Sequence, residues 1–535
     1  MLANAAAPES RVRPALLAAA LSLVVASFAV PAQEARLPDI GSSAGEVINP
    51  AQQAEYGAMT LSQLRSYDYV LDDPLLEGWL DGVGHRLGAS SDQPRQDFTF
   101  FMLKDRQINA FATLGGYIGM NAGLVLAAER EDEVASVLAH EIAHVTQDHV
   151  LRAVERAERD SIPIMLAMLG AIVAAQQAGG NSSGDATMAA VVAGQGLMAQ
   201  RQIDYTRANE SEADRIGIQN LARAGYEPTA MADFFQTLHG VVRLNQGSDE
   251  RRRTPDYLQT HPVTLTRISE ARQRAGRVAG TGFQAGPRAS ENPLLPAGLE
   301  LGNALTRADS GQFQWARERL RVLSAETPDA AIREYERLQT RKPLDDGQRY
   351  GLAIARLLDG QGAAAATALS ALLEEHPGDV WLSLALGEAE ARAGRHEAAD
   401  QRFEALLARM PRNPAVVLTY ARVLGERNNA AAGKRAQAVL RPLTATASDD
   451  PVFQRTFARA SEIAGDPVRA GEAHAEAEYL SGRPERALVQ LENLKKRGDL
   501  DYYARARIDA RIAAITPTVL ELRRQGIRDE ALERP

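Results

Sequence analysis

The chain has 535 residues, 45% hydrophobic and 24% charged, with a formal net charge of −9 and no cysteine. That length supports two or more domains with cores of their own, and the acidic balance argues against a nucleic-acid partner, whose phosphates want a basic surface. Without cysteine there is no disulfide, no thiolate metal ligand and no thiol nucleophile.

At the N-terminus, Arg11 and Arg13 precede an apolar run from Ala15 to Val30, and the small residue Ala32 follows. This order predicts a cleaved secretory signal peptide over residues 1–32. The run of ~16 apolar residues falls short of the ~20 that span a bilayer. Residues 33–60, with Pro38, Gly41 and Gly45, read as an extended arm. Three β-like runs follow at 97–103, 108–113 and 116–121, separated by charged or Gly-Gly turns, and predict a small antiparallel sheet. Helical periodicity begins near Glu131, where Glu131, Asp132 and Glu133 place negative charge on the first turn, and extends toward Arg159. Residues 162–199 read as two apolar helices joined by a Gly/Ser tip. They are too short to span a membrane, so they pack on the protein or rest on a membrane surface.

A Gly/Pro/Ser-rich stretch at 277–297 reads as a linker. Beyond it Pro343, Pro377 and Pro411 recur every 34 residues, as do Gly360 with Gly394 and Leu372 with Leu406. A 34-residue helix–turn–helix period closed by proline is the tetratricopeptide signature. The expected organisation is an N-terminal domain over 33–276, the linker, a repeat domain over 298–515 and a tail over 516–535. The fold class expected is mainly α, with an α+β domain holding the small antiparallel sheet followed by a helical solenoid. The repeats, degenerate after 415, are expected to form a separable protein-binding module.

The chemistry-bearing stretch is His140-Glu141-Ile142-Ala143-His144. On a helix, positions i and i+4 share a face, so both histidines can offer nitrogens to one ion while Glu141 stands beside them as a base. A hydrolytic metal site needs a third protein ligand and an open position. A histidine three residues beyond a downstream glycine is absent, since those places hold Gln147 and Val150, and His149 is off-register. A second helix over 208–228 supplies the alternative. There Glu210 can ligate and Asp214, one turn on, can orient a ligand histidine from behind. Glu212 sits on another side and reads as solvated.

The H-E-x-x-H run, the E-x-x-x-D spacing in NESEADRIG and THPVTLTRI at 260–268 together resemble the HtpX and CAAX-prenyl-protease type of zinc endopeptidase. The stretches LPDIGSSAGEVI and INAFATLGGYIGMNAGL and the C-terminal repeats extend the resemblance over nearly the whole chain. It implies a zincin-type α+β metalloprotease fold for residues 33–276 and one zinc held by His140, His144 and Glu210, with Glu141 as catalytic base and Asp214 as proton donor. It further implies a periplasmic enzyme that degrades misassembled outer-membrane proteins and assists their assembly, meeting the assembly machinery through its repeats. An extended substrate is expected to add as a strand beside GGYIGMNAG. His261, stiffened by the following proline, is expected either to stabilise the oxyanion or to occupy the open metal position at rest. The competing expectation is a chaperone-like holdase or assembly scaffold with a structural or dormant zinc.

Overall fold

The computed structural model describes residues 49–153, 155–156, 205–245, 257–258, 261–280 and 310–524. The expected signal peptide, the apolar hairpin at 162–199 and the linker beyond residue 280 lie outside the described residues.

The first helix, α1 (Pro50–Ser66), begins inside the stretch expected to be an extended arm. A capping box makes the difference: Gln52 N donates to Asn49 Oδ1 and Asn49 N to Gln52 Oε1, both at 3.0 Å. With Pro50 at the first helical position, these bonds satisfy the donors a helix start leaves open. Helix α2 (Pro74–Ala89) is capped by Asp73 and buries Leu76, Trp79, Leu80, Val83 and Leu87.

Strands β1 (Thr99–Leu103), β2 (Ala110–Ala112) and β3 (Tyr117–Asn121) fall within the three expected runs. Their order, β1-β3-β2, makes the sheet mixed rather than antiparallel, because β3 runs antiparallel to β2 but parallel to β1. The chain crosses past the sheet after β1, returns as β2, and lays β3 into the gap. Local alternation of side chains carries no record of that crossover. β3 is therefore hydrogen-bonded on both sides, and the strand expected to receive substrate has no free edge. The edge beside the next helices belongs to β2.

Helices α3 (Ala122–Ala127) and α4 (Glu131–Thr146) follow, then α5 over 205–224, α6 (Ala230–Asn245) and α7 (Leu265–Gly280). α4 packs against α2, β2 and α6. Gly217 on α5 is the point of close approach to α4: a Cβ there would lie 3.2 Å from His140 N and 3.3 Å from Ala139 C. Glycine at that point lets the two backbones approach closely enough for side chains from both helices to meet at one centre.

The repeat region comprises α8 (Phe313–Leu323), α9 (Pro328–Gln339), α10 (Asp346–Leu358), α11 (Gly362–Glu375), α12 (Val380–Arg392) and α13 (His396–Arg409). It continues through α14 (Pro414–Glu426), α15 (Ala430–Leu440), α16 (Pro451–Ala464), α17 (Pro467–Leu480), α18 (Pro484–Lys495) and α19 (Tyr502–Arg524). Two expected domain limits fall inside helices: residue 276 within α7 and residue 516 within α19. Neither Gly276 nor Pro517 ends its helix, and a Cβ at Gly276 would meet nothing within 4 Å.

The repeats share a core with the N-terminal region. One apolar cluster runs from Leu71 and Trp79 through Phe313 and Trp315 to Phe453. Polar contacts cross the same boundary. Arg319 grips Asp73 through bonds of 2.9 and 2.7 Å. Glu131 accepts from Trp79 Nε1 and from Ser310 N, each at 2.9 Å, and Arg106 donates to Glu334 at 3.1 Å.

Candidate metal centre

α4 carries His140 and His144 one turn apart, with their Nε2 atoms 3.0 Å from each other. α5 delivers Glu210, whose Oε2 lies 3.4 Å from His140 Nε2 and whose Oε1 lies 3.4 Å from His144 Nε2. His261, just before α7, places Nδ1 2.9 Å from Glu210 Oε1 and 3.4 Å from His140 Nε2. One ligand atom from each of these four residues lies within 4.8 Å of all the others. All four are candidate site residues in the sequence, and the structure brings them together.

Behind the cluster, Asp214 Oδ1 stands 3.0 Å from His140 Nδ1. Arg267, on α7, holds that carboxylate through bonds of 2.8 and 2.9 Å. It also reaches Glu210 Oε2 at 2.9 Å and the Pro262 carbonyl at 2.9 Å, tying the His261 segment to both acids. Arg267 was missed in the sequence, although it lies in THPVTLTRI, because its partners are distant in the chain. The His261 ring stacks on Tyr257, with centroids 4.7 Å apart and planes 27° apart.

His149, discounted as off-register, was also missed. The helical pattern expected to run on toward Arg159 is interrupted at Asp148, which adopts a left-handed φ of 52°, a conformation aspartate tolerates better than most residues. The turn brings His149 Nδ1 to 2.8 Å from His144 Nδ1. Glu212, read as solvated, accepts from this arrangement: its Oε2 lies 3.1 Å from His149 Nε2 and 2.9 Å from Arg152 Nη2.

The electrostatics follow from burial and these neighbours. Burial disfavours charge on His140, but Glu210 and Asp214 outweigh it and raise its pKa. Burial would raise Glu210 and Asp214; instead His140 holds Glu210 low, and Arg267 with His140 holds Asp214 low. His144 is lowered by burial and by His140. His149 is pushed down to about 4 by burial and by His144, which keeps it neutral.

The residues present fit a bound cation. Three imidazole nitrogens and a carboxylate converge in a buried space, a donor set suited to zinc. Glu141 Oε1 is buried with no hydrogen-bond partner, 3.8 Å from His261 Nε2. A buried carboxylate oxygen without a donor is costly unless a ligand or water completes it.

A helix presenting this constellation, crossed by a second helix with the carboxylate ligand and followed by stacked helical hairpins, defines a metallopeptidase joined to a repeat domain. The family model of peptidase family M48 matches residues 74–275, and that of the tetratricopeptide repeat matches 356–416. The Beta-barrel assembly-enhancing protease of Yersinia pestis is 31% identical over 485 residues, covering 90% of this chain and 92% of that protein. Its namesake from Escherichia coli K12 is 30% identical over 481 residues, covering 89% and 90%. The chain belongs to peptidase family M48, carries a tetratricopeptide match of its own, and is similar over most of its length to proteins named Beta-barrel assembly-enhancing protease.

Proposed function

We propose that this chain is an exported, zinc-dependent endopeptidase of the periplasm that degrades misassembled or unfolded envelope proteins and assists outer-membrane protein assembly through its repeats. The peptidase part is carried by one observation, the buried Glu141 oxygen that accepts no hydrogen bond, beside the convergent ligand atoms of His140, His144, Glu210 and His261. The envelope setting is supported by the signal-like N-terminus and by the names of the full-length relatives. Among the described residues no helix is long and apolar enough to cross a membrane.

His140, His144 and Glu210 would hold the ion, and zinc bound there supplies Lewis acidity, activating a water and polarising the scissile carbonyl. Glu141 takes the proton of the attacking water and returns it to the leaving amine. Asp214 is better placed to orient His140 than to donate a proton, because His140 and Arg267 already occupy its oxygens. His261 Nδ1 lies among the ligand atoms, which favours the resting-ligand role. An extended substrate would add along the edge of β2, beside the motif helix, with backbone bonds giving affinity without strong sequence choice.

The holdase reading draws on the same His261: four protein ligands make a closed site, and closed zinc sites are structural. Cleavage of casein by the purified protein, with and without chelator, separates the two. The peptidase reading expects chelator-sensitive cleavage that rises in His261→Ala. A holdase expects none in either protein.

A further inference from the structure

We infer that His149 is a positioning residue: it sets which ring nitrogen of His144 is free to bind the metal, and Glu212 with Arg152 sets His149 in turn. The inference rests on the metal-site reading above and concerns how one ligand is kept competent.

His144 turns Nε2 toward His140 and Glu210. A neutral imidazole that ligates through Nε2 carries its proton on Nδ1. That Nδ1 lies 2.8 Å from Nδ1 of His149, and only one proton fits between the two nitrogens. Were it on His149, the proton of His144 would sit on Nε2 and the lone pair meant for the metal would be lost. His149 by itself is indifferent, since either ring nitrogen of a neutral histidine can carry the proton.

Glu212 removes the indifference. Its carboxylate, which only accepts, lies 3.1 Å from His149 Nε2 and is held by Arg152 at 2.9 Å. The His149 proton therefore sits on Nε2, its Nδ1 accepts, and the His144 Nδ1–H donates. The chain of donors runs His144 to His149 to Glu212, with Arg152 at its end. The His149 side chain is only 3% exposed, so water has little access to take over its place. Tyr205 Oη bonds the His149 carbonyl at 3.4 Å, and the left-handed Asp148 aims the ring.

The two ligand histidines are thus supported differently. His140 meets its carboxylate directly in Asp214, whereas His144 meets one through a second imidazole. Outer partners of this kind typically contribute about 10–100-fold in metal affinity.

The test is Zn2+ affinity by competition with a chromophoric chelator, read beside the melting midpoint of the metal-free chain and the split of kcat from KM. His149→Phe removes the acceptor and is expected to weaken Zn2+ binding about 10–100-fold, with KM for an unfolded substrate unchanged once zinc is in excess. His149→Asn, whose Oδ1 stands near the place of Nδ1, is expected to recover most of that affinity. Glu212→Ala, at a partly exposed site, is expected to fall between them. Wild-type Zn2+ affinity in His149→Phe and Glu212→Ala, with binding lost in His140→Ala, overturns the positioning role alone. Wild-type affinity in His140→Ala overturns the metal-site reading itself. Equal losses of metal-free melting and of affinity in His149→Phe and His149→Asn also overturn the inference, because they mark a role in packing only.

Discussion

Two arginine–aspartate pairs buried in this molecule have nearly the same geometry and different consequences. Arg267 holds Asp214 through bonds of 2.8 and 2.9 Å; Arg319 holds Asp73 through 2.7 and 2.9 Å. Burial would raise the pKa of either carboxyl, and in both the arginine instead keeps it below its ordinary value. The third partner decides what each pair does. Asp214 spends an oxygen on His140 Nδ1 and so reaches the ligand cluster. Asp73 accepts from Leu76 N at 3.2 Å, and so caps α2 while fastening the repeats to the peptidase region. A buried ion pair is weak evidence of stability by itself, yet removing one partner strands a charge.

Removing the repeats altogether should break the second region most. A chain ended near residue 290 uncovers Trp79 and the rest of the α2 face and leaves Asp73 without its cation. It should melt far below the full chain in a thermal scan and precipitate on heating. A truncated chain that melts like the full one would show that the shared core contributes nothing. Next in size, Arg319→Met leaves a buried, unpaired Asp73 and should cost about 3–5 kcal/mol in chemical denaturation. Adding Asp73→Asn should recover part of this, since asparagine still caps a helix. The sign with pH follows from the lowered Asp73: its contribution is present above the unfolded value of about 3.9 and is lost as pH falls through the lower folded value.

Arg267→Met should cost somewhat less stability, about 3 kcal/mol, because His140 can share the stranded charge. It should also weaken Zn2+ binding about 10–100-fold, which Arg319→Met should not. The smallest effect lies in the repeats. Gly387→Ala would place a Cβ 2.8 Å from the Phe403 ring and should cost about 1–2 kcal/mol of the total, overpacking being partly offset by helix propensity.

The same contrast explains what was legible in the sequence. Patterns carried within one element were: the motif helix starting at Glu131, the three strand runs, the 34-residue period, and the one-turn spacing of Glu210 and Asp214 on a single helix. What depended on distant partners was not. Asp73 and Arg319 are 246 positions apart, and no local pattern links them. Strand order followed from a crossover rather than from alternation, so β3 turned out central and β2 became the edge. His149 was unreadable because its position depends on the left-handed turn at Asp148, and Glu212 looked solvated only while His149 was out of view. His261 was legible through the THP stretch, but its place beside Glu210 came from α7 and Arg267.

The central claim is that Glu141 is the base of a hydrolytic metal site rather than part of a structural one. Zinc content and casein cleavage measured on Glu141→Gln and on His140→Ala test it most directly. The account predicts about one zinc per chain in Glu141→Gln with cleavage abolished, and loss of both zinc and cleavage in His140→Ala. Full cleavage by Glu141→Gln with its zinc in place would contradict it.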